Sequence, residues 1–264
     1  MIIEKRFQGP DGSGNGGYVA GLLAGRLSTD TVTVTLRRPP PLDTELRVTV
    51  EDERGLSARL WHGETLIAEA LAGAIVVPPA PAVPYEAAVE AARGYLGVDD
   101  HPFPRCFVCG TDRRPGDALR LMPGPVADGT VAAPWTPSEE PGPELVWAAL
   151  DCPGAWSFAE PGHGRPSVLG TMTAQVTGVP AAGERCVVVG LARTREGRKT
   201  HAATALYGAD GRLLGRAEQI WIEVDPSRFA PPAASAAAEP ETAAPAGGDA
   251  PETRPSAEHC SSAS

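Results

Sequence analysis

Two stretches decide the reading: TVTVTLRRPPP at 31–41 and GTMTAQVTGVP at 170–180. Each alternates apolar with polar residues, the period of a half-buried strand, and each runs into proline, which cannot continue a hydrogen-bonded ladder. Setting Pro40 on Pro180 aligns them at an offset of 140 and brings DTELRVTV (43–50) onto GERCVVVG (183–190). The likeness extends outward. Before each strand lies a short apolar stretch of helical character, 18–27 and 145–158. Each copy closes on a hairpin signal, ARLWHGETLIAEALAGAIVV (58–77) and ATALYGADGRLLGRAEQIWIEV (203–224), the second with Asp210-Gly211 as its turn pair. Setting Leu66 on Leu213 gives an offset of 147, so the second copy carries about seven extra residues near TREGRKT (194–200). Matching order, turns and strand endings indicate an internal duplication. One helix followed by antiparallel strands on short turns is a sheet wrapped on a helix. The expected class is therefore α+β, with two antiparallel sheets each wrapped on a central helix.

The rest of the chain fits around these copies. PPAPAVP (78–84) is a proline-rich linker, and YEAAVEAARGYLG (85–97) reads as a short helix with a glycine stop. From 230 onward no Leu, Ile, Val, Phe, Tyr or Trp remains, too little apolar surface to offset ordering entropy, so a disordered tail is expected over 230–264. The expected divisions are 1–77, 78–102, 103–229 and 230–264. The 264 residues carry a net charge of −10 and only 5% aromatics, a poor match to a nucleic-acid binder. The 30 Gly and 28 Pro disfavour coiled coils and long bundles. No apolar run approaches the ~20 residues of a membrane span, and MIIEKRFQGP lacks the apolar core of a signal peptide. Five Cys, an odd number, suggest no oxidised framework, so a reduced, cytoplasmic protein is expected.

Three stretches carry a family resemblance. NGGYVAGLLAGRL (15–27) resembles the central-helix opening of type II acyl-CoA thioesterases, which are double hotdogs. CFVCGTDRRPGDALRL (106–121) is similar to the Cys-rich lead-in of phenylacetate-pathway hotdog thioesterases. DGRLLGRAEQIWIEV (210–224) resembles the type II closing hairpin, with a Gln eight residues after the turn Gly. The resemblance implies a double hotdog that packs like a dimer of single hotdogs, with further self-association left open. It also implies acyl-CoA as substrate, no cofactor beyond the coenzyme A of that substrate, and an Asp, a hydroxyl and a Gln around a hydrolytic water. Matched by position these are Asp151, Thr171 or its neighbour Thr173, and Gln219. The first copy has no carboxylate in its helix and Ala72 in the Gln slot, so one site per chain is expected.

That chemistry suits those residue types. A carboxylate takes the water's proton, and an apolar setting such as Trp147, Leu150 and Trp156 raises its pKa towards neutrality. Backbone N–H groups at a helix start meet the oxyanion. Asn15, Gly16 and Gly17 offer one such start, and PGPELVW (141–147) offers another. Arg193, Arg195, Arg198 and Lys199 are candidates for docking coenzyme phosphates. Pro153 and Gly154 are expected to kink or end the second helix beside Asp151. Cys106-x-x-Cys109 has the spacing of half a zinc knuckle. Cys152, Cys186 and His101 do not repeat that pairing, so packing and no metal are expected. GSGNGG (12–17) lacks the preceding strand and following Lys-Ser/Thr of a phosphate loop. Besides hydrolysis, non-catalytic binding of acyl-CoA or another hydrophobic ligand fits the same fold. A hydratase fits worse, because the next His after Asp151 is His163.

Overall fold

Alternation in the sequence becomes two faces of a sheet. The computed structural model describes residues 1–51, 54–160 and 166–225. The expected tail at 230–264 and His163 lie outside the described residues. The first copy supplies α1 (Gly16–Ala24) and strands β1 (Thr31–Leu36), β2 (Arg47–Val50), β3 (Ser57–His62) and β4 (Thr65–Ala72). A second helix, α2 (Tyr85–Ala92), follows the proline-rich stretch. The second copy supplies β5 (Gly124–Ala127), β6 (Thr130–Trp135), α3 (Pro143–Trp156), β7 (Ser167–Val176), β8 (Cys186–Glu196), β9 (Lys199–Tyr207) and β10 (Leu213–Glu223). The Asp210-Gly211 turn forms as expected, with Gly211 at φ +81 and Asp210 Oδ1 accepting from the Arg212 N–H at 3.0 Å.

The strands form one ten-stranded antiparallel sheet in the order β2-β3-β4-β1-β7-β10-β9-β8-β6-β5. The two expected sheets are thus continuous. β1 and β7 pair edge to edge, which removes two open edges. Thr33 sits opposite Thr173, its equivalent at the offset of 140, and their hydroxyls are 2.9 Å apart. Val32 opposes Ala174 and Val34 opposes Met172, so the pairing is self-complementary about that point, as in an isologous dimer.

Both central helices lie on one face of the sheet. Along β1 the buried residues are Val32 and Val34, and those along β7 include Leu169, Met172 and Ala174, all in the core that packs the helices. The 78–98 region covers the other face of the second half. Ala80 and Ala88 pack with Val187, Val189 and Ala205, and Tyr207 donates its hydroxyl to the Ala80 carbonyl at 2.5 Å. The helices approach closely because α1 presents Gly17 and Gly21, four residues apart on one face. A Cβ on Gly21 would lie 2.7 Å from Glu144 Cα, and one on Gly17 would lie 2.5 Å from Asp151 Cβ.

Candidate active site

The close helix crossing puts the start of α1 against the middle of α3. Asn15 caps α1, its Oδ1 accepting from the Tyr18 N–H at 2.9 Å. Its amide nitrogen faces the other way and donates to Asp151 Oδ2 at 2.8 Å. The Gly17 N–H donates to the same oxygen at 3.0 Å. Asp151 is 2% exposed, and its second oxygen, Oδ1, has no partner among the described residues. Burial pushes its pKa up to about 7; the Gly17 N–H pulls it down, nearby Cys106 pushes it up, and the Asn15 amide pulls it down. One oxygen is therefore fixed and the other is available, and the two copies contribute jointly: Asn15 and Gly17 from the first, Asp151 from the second.

Gln219 lies beside the backbone of Asp151 rather than its carboxylate. Its Nε2 donates to the Leu150 carbonyl at 2.6 Å and the Asp151 carbonyl at 3.1 Å, while its Oε1 accepts from the Trp221 indole at 2.9 Å. The helix departs from the expected break, and Gln219 braces it from the sheet side. α3 runs through Pro153 to Trp156. The pyrrolidine ring has no N–H and crowds the preceding turn, where the Gln219 amide supplies donors to two carbonyls. The Ser157 hydroxyl takes the Gly154 carbonyl at 2.7 Å. Gly154 is needed here, since a Cβ would overlap Gln219 Oε1. Gln219→Ala leaves the buried Trp221 indole N–H without its acceptor and removes a second donor from the Leu150 and Asp151 carbonyls, at about 1–3 kcal/mol in all. Urea unfolding should show a loss of that size.

Thr171 and Thr173 are not brought to Asp151. Gln219 opposes Met172, so these two share the helix face, while Thr171 opposes Ile220 and Thr173 opposes Glu218 on the outer face. The Thr side chains meet Thr35 at 3.5 Å and Thr33 at 2.9 Å across the β1–β7 seam. Together with Arg193, His201 and Glu218 they line a 370 Å³ recess on that outer face. The register position opposite Gln219 holds the buried thioether of Met172.

The expected phosphate dock falls on the β8–β9 hairpin. There Arg195 pairs with Glu223 and Arg193 donates to the Pro78 carbonyl at 3.1 Å. A second basic place was not read from the sequence. Lys5, Arg6, Arg105, Arg113 and Arg114 line a groove of about 1010 Å³ beside the loop that begins at Cys106. The 111–117 stretch itself holds two Arg and two Asp, so local charge gives no signal.

Comparison with solved structures places this geometry in a fold class. The chain is similar to the tesB protein of Mycobacterium avium subsp. paratuberculosis (TM-score 0.53, 13% identity, 80% of this chain and 88% of that one). It is also similar to a candidate thioesterase II of Thermobifida fusca (TM-score 0.56, 13% identity, 85% and 91%). A candidate thioesterase of Novosphingobium aromaticivorans gives a TM-score of 0.50 at 14% identity, over 82% and 91%. These likenesses show the fold: the chain is a double hotdog. No family model and no curated protein matches its sequence. No helix among the described residues is long and apolar enough to cross a membrane.

Proposed function

We propose that this protein hydrolyses an acyl-CoA thioester, with Asp151 as general base. The observation that carries the reading is the buried carboxylate, held through Oδ2 by Asn15 and Gly17, with Oδ1 unpartnered among the described residues. A water on Oδ1 gives its proton to the carboxylate as its oxygen attacks the thioester carbonyl. The oxyanion forms at the start of α1, where the helix dipole favours negative charge and the Gly16 N–H is the donor, since those of Gly17 and Tyr18 are taken by Asp151 and Asn15. Collapse breaks the C–S bond, and the departing thiolate takes the proton back from Asp151. The fold of the compared thioesterases supports the same reaction class. Thiol release measured over short, medium, aromatic and long acyl-CoA tests it, and inactivity on the whole panel would sink it.

The coenzyme phosphates dock in the groove that Lys5, Arg6, Arg105 and Arg114 line together, with Arg114 as the leading contact, because Arg105 pairs with Asp11 and Arg6 donates to the Gly116 and Asp117 carbonyls, just as Arg195 and Arg193 are engaged at the β8–β9 tip. Arg114→Glu should raise KM at least about fivefold with kcat unchanged, the scale of one exposed charge contact. Arg198→Glu should leave KM within about twofold. The reverse pattern would return the dock to the hairpin tip.

A second reading, binding of the thioester without turnover, is favoured by one observation: the Gln219 amide is fully engaged and Met172 stands across from it. It predicts a higher thermal midpoint with acyl-CoA and no thiol release.

A further inference from the structure

Three cysteines converge next to this site, and the proposed hydrolysis uses none of them. Cys106 and Cys109 come from the loop before the second copy, and Cys152 comes from α3, 46 residues further on. All three are buried, and their sulfurs lie within 4.8 Å of one another. Cys106 Sγ and Cys152 Sγ are 3.7 Å apart. That matches the edge of a tetrahedron with metal–sulfur bonds of about 2.3 Å, an edge of about 3.8 Å.

The loop is built around the sulfur of Cys106. The Cys109 and Cys152 sulfurs both approach it. The loop closes through the Gly110 N–H on the Cys106 carbonyl at 2.9 Å. Only glycine permits this closure, because a Cβ there would lie 2.5 Å from the Cys106 oxygen and 2.6 Å from its nitrogen. Outer groups hold the cluster in place. The Trp156 side chain hydrogen-bonds to the Cys109 sulfur, and Tyr95 donates to the Cys109 carbonyl at 2.9 Å. His101 is not a fourth ligand: Nε2 bonds the Cys109 carbonyl at 3.1 Å and Nδ1 accepts from the Phe103 N–H at 2.9 Å. Cys186 is elsewhere, opposite Trp135 in the sheet.

The cluster adjoins the candidate active site. Asp151 Oδ1, on the residue before Cys152, is buried without a partner among the described residues. Asn15 Nδ2 links it to the cluster, donating to Asp151 Oδ2 at 2.8 Å and lying 3.9 Å from Cys106 Sγ.

We infer that Cys106, Cys109 and Cys152 bind one thiophilic divalent cation, zinc by chemistry, with a non-sulfur donor in the fourth position. Three thiolates suit zinc, and a paired Cys-x-x-Cys joined by a ligand from elsewhere in the chain is how such sites are assembled. This inference stands whether or not the protein hydrolyses thioesters.

The test uses the full chain carrying Cys260→Ser, which removes the remaining cysteine of the C-terminal stretch. After loading with Zn²⁺ and removal of excess, elemental analysis should give one zinc per chain and a raised thermal midpoint. Zinc content should fall at least fivefold in Cys106→Ser and in Cys152→Ser, and stay at one in Cys186→Ser. Cobalt titration of the parent should saturate at one equivalent, with thiolate-to-cobalt absorption in the near ultraviolet; this answers the question even where a serine variant fails to fold. Less than about 0.2 zinc per chain after loading would overturn the inference. So would a cobalt spectrum without the thiolate band, or a mass two hydrogens short that reveals a Cys106–Cys152 disulfide.

Discussion

Asp151→Asn should lower thiol release from acyl-CoA at least ~100-fold, the scale of removing a general base. The fold should survive. An asparagine oxygen can still accept from Gly17 and Asn15, which now meet on Oδ2 at 3.0 and 2.8 Å. What disappears is the capacity to take a proton on the free side. A variant within threefold of wild type would remove Asp151 from the chemistry. The companion experiment is the double change Thr171→Val and Thr173→Val. Both hydroxyls lie on the outer face and bond to Thr35 and Thr33, so activity should stay within about twofold. A large loss in that double variant would instead place the water on the outer face, in the recess beside His201 and Glu218.

Gly17→Ala should be among the most damaging single changes. A Cβ there would meet Asp151 Cβ at 2.5 Å, the Trp147 carbonyl at 2.7 Å and Asp151 Cγ at 3.0 Å. Two of these neighbours belong to the carboxylate and the third is helix backbone, so none moves without displacing α1 from α3. Overpacking costs of about 3 kcal/mol or more are expected, against a total stability of roughly 5–15 kcal/mol. Hydrolysis should fall with it, because the Gly17 N–H that orients Asp151 is carried away. Gly25→Ala is the control. Its φ is −63 and the nearest atom to an added Cβ is 3.5 Å away, so stability should hold or rise slightly. Urea unfolding of both variants reads the difference. A Gly17→Ala protein within ~0.5 kcal/mol of wild type would mean the helices do not pack as closely as described.

Some of this was legible in the residues. Alternation at 31–41 and 170–180 gives β1 and β7. The same alternation carried a warning about Thr171 and Thr173. Met172 and Ala174 are the apolar set of that strand, so the face toward a helix had to be theirs. Asp128-Gly129 is a turn pair of the same kind as Asp210-Gly211, and it marks the β5–β6 hairpin that motif matching passed over. Gly17 and Gly21 at a spacing of four are the sequence trace of the close helix crossing.

By itself the sequence determined the duplication, the strand and helix periods, and the presence of a carboxylate midway along an apolar helix, because these depend on neighbours a few residues apart. Only the tertiary structure decided what that carboxylate touches. Asn15 and Gly17 reach Asp151 across more than 130 residues, Cys106 meets Cys152 across 46, and Gln219 steadies the helix around Pro153 from a strand 68 residues beyond Asp151. Such pairings follow from how a sheet curls over two helices and which side of each strand faces them. Local periodicity fixes the alternation of a strand but not the partner waiting on either side.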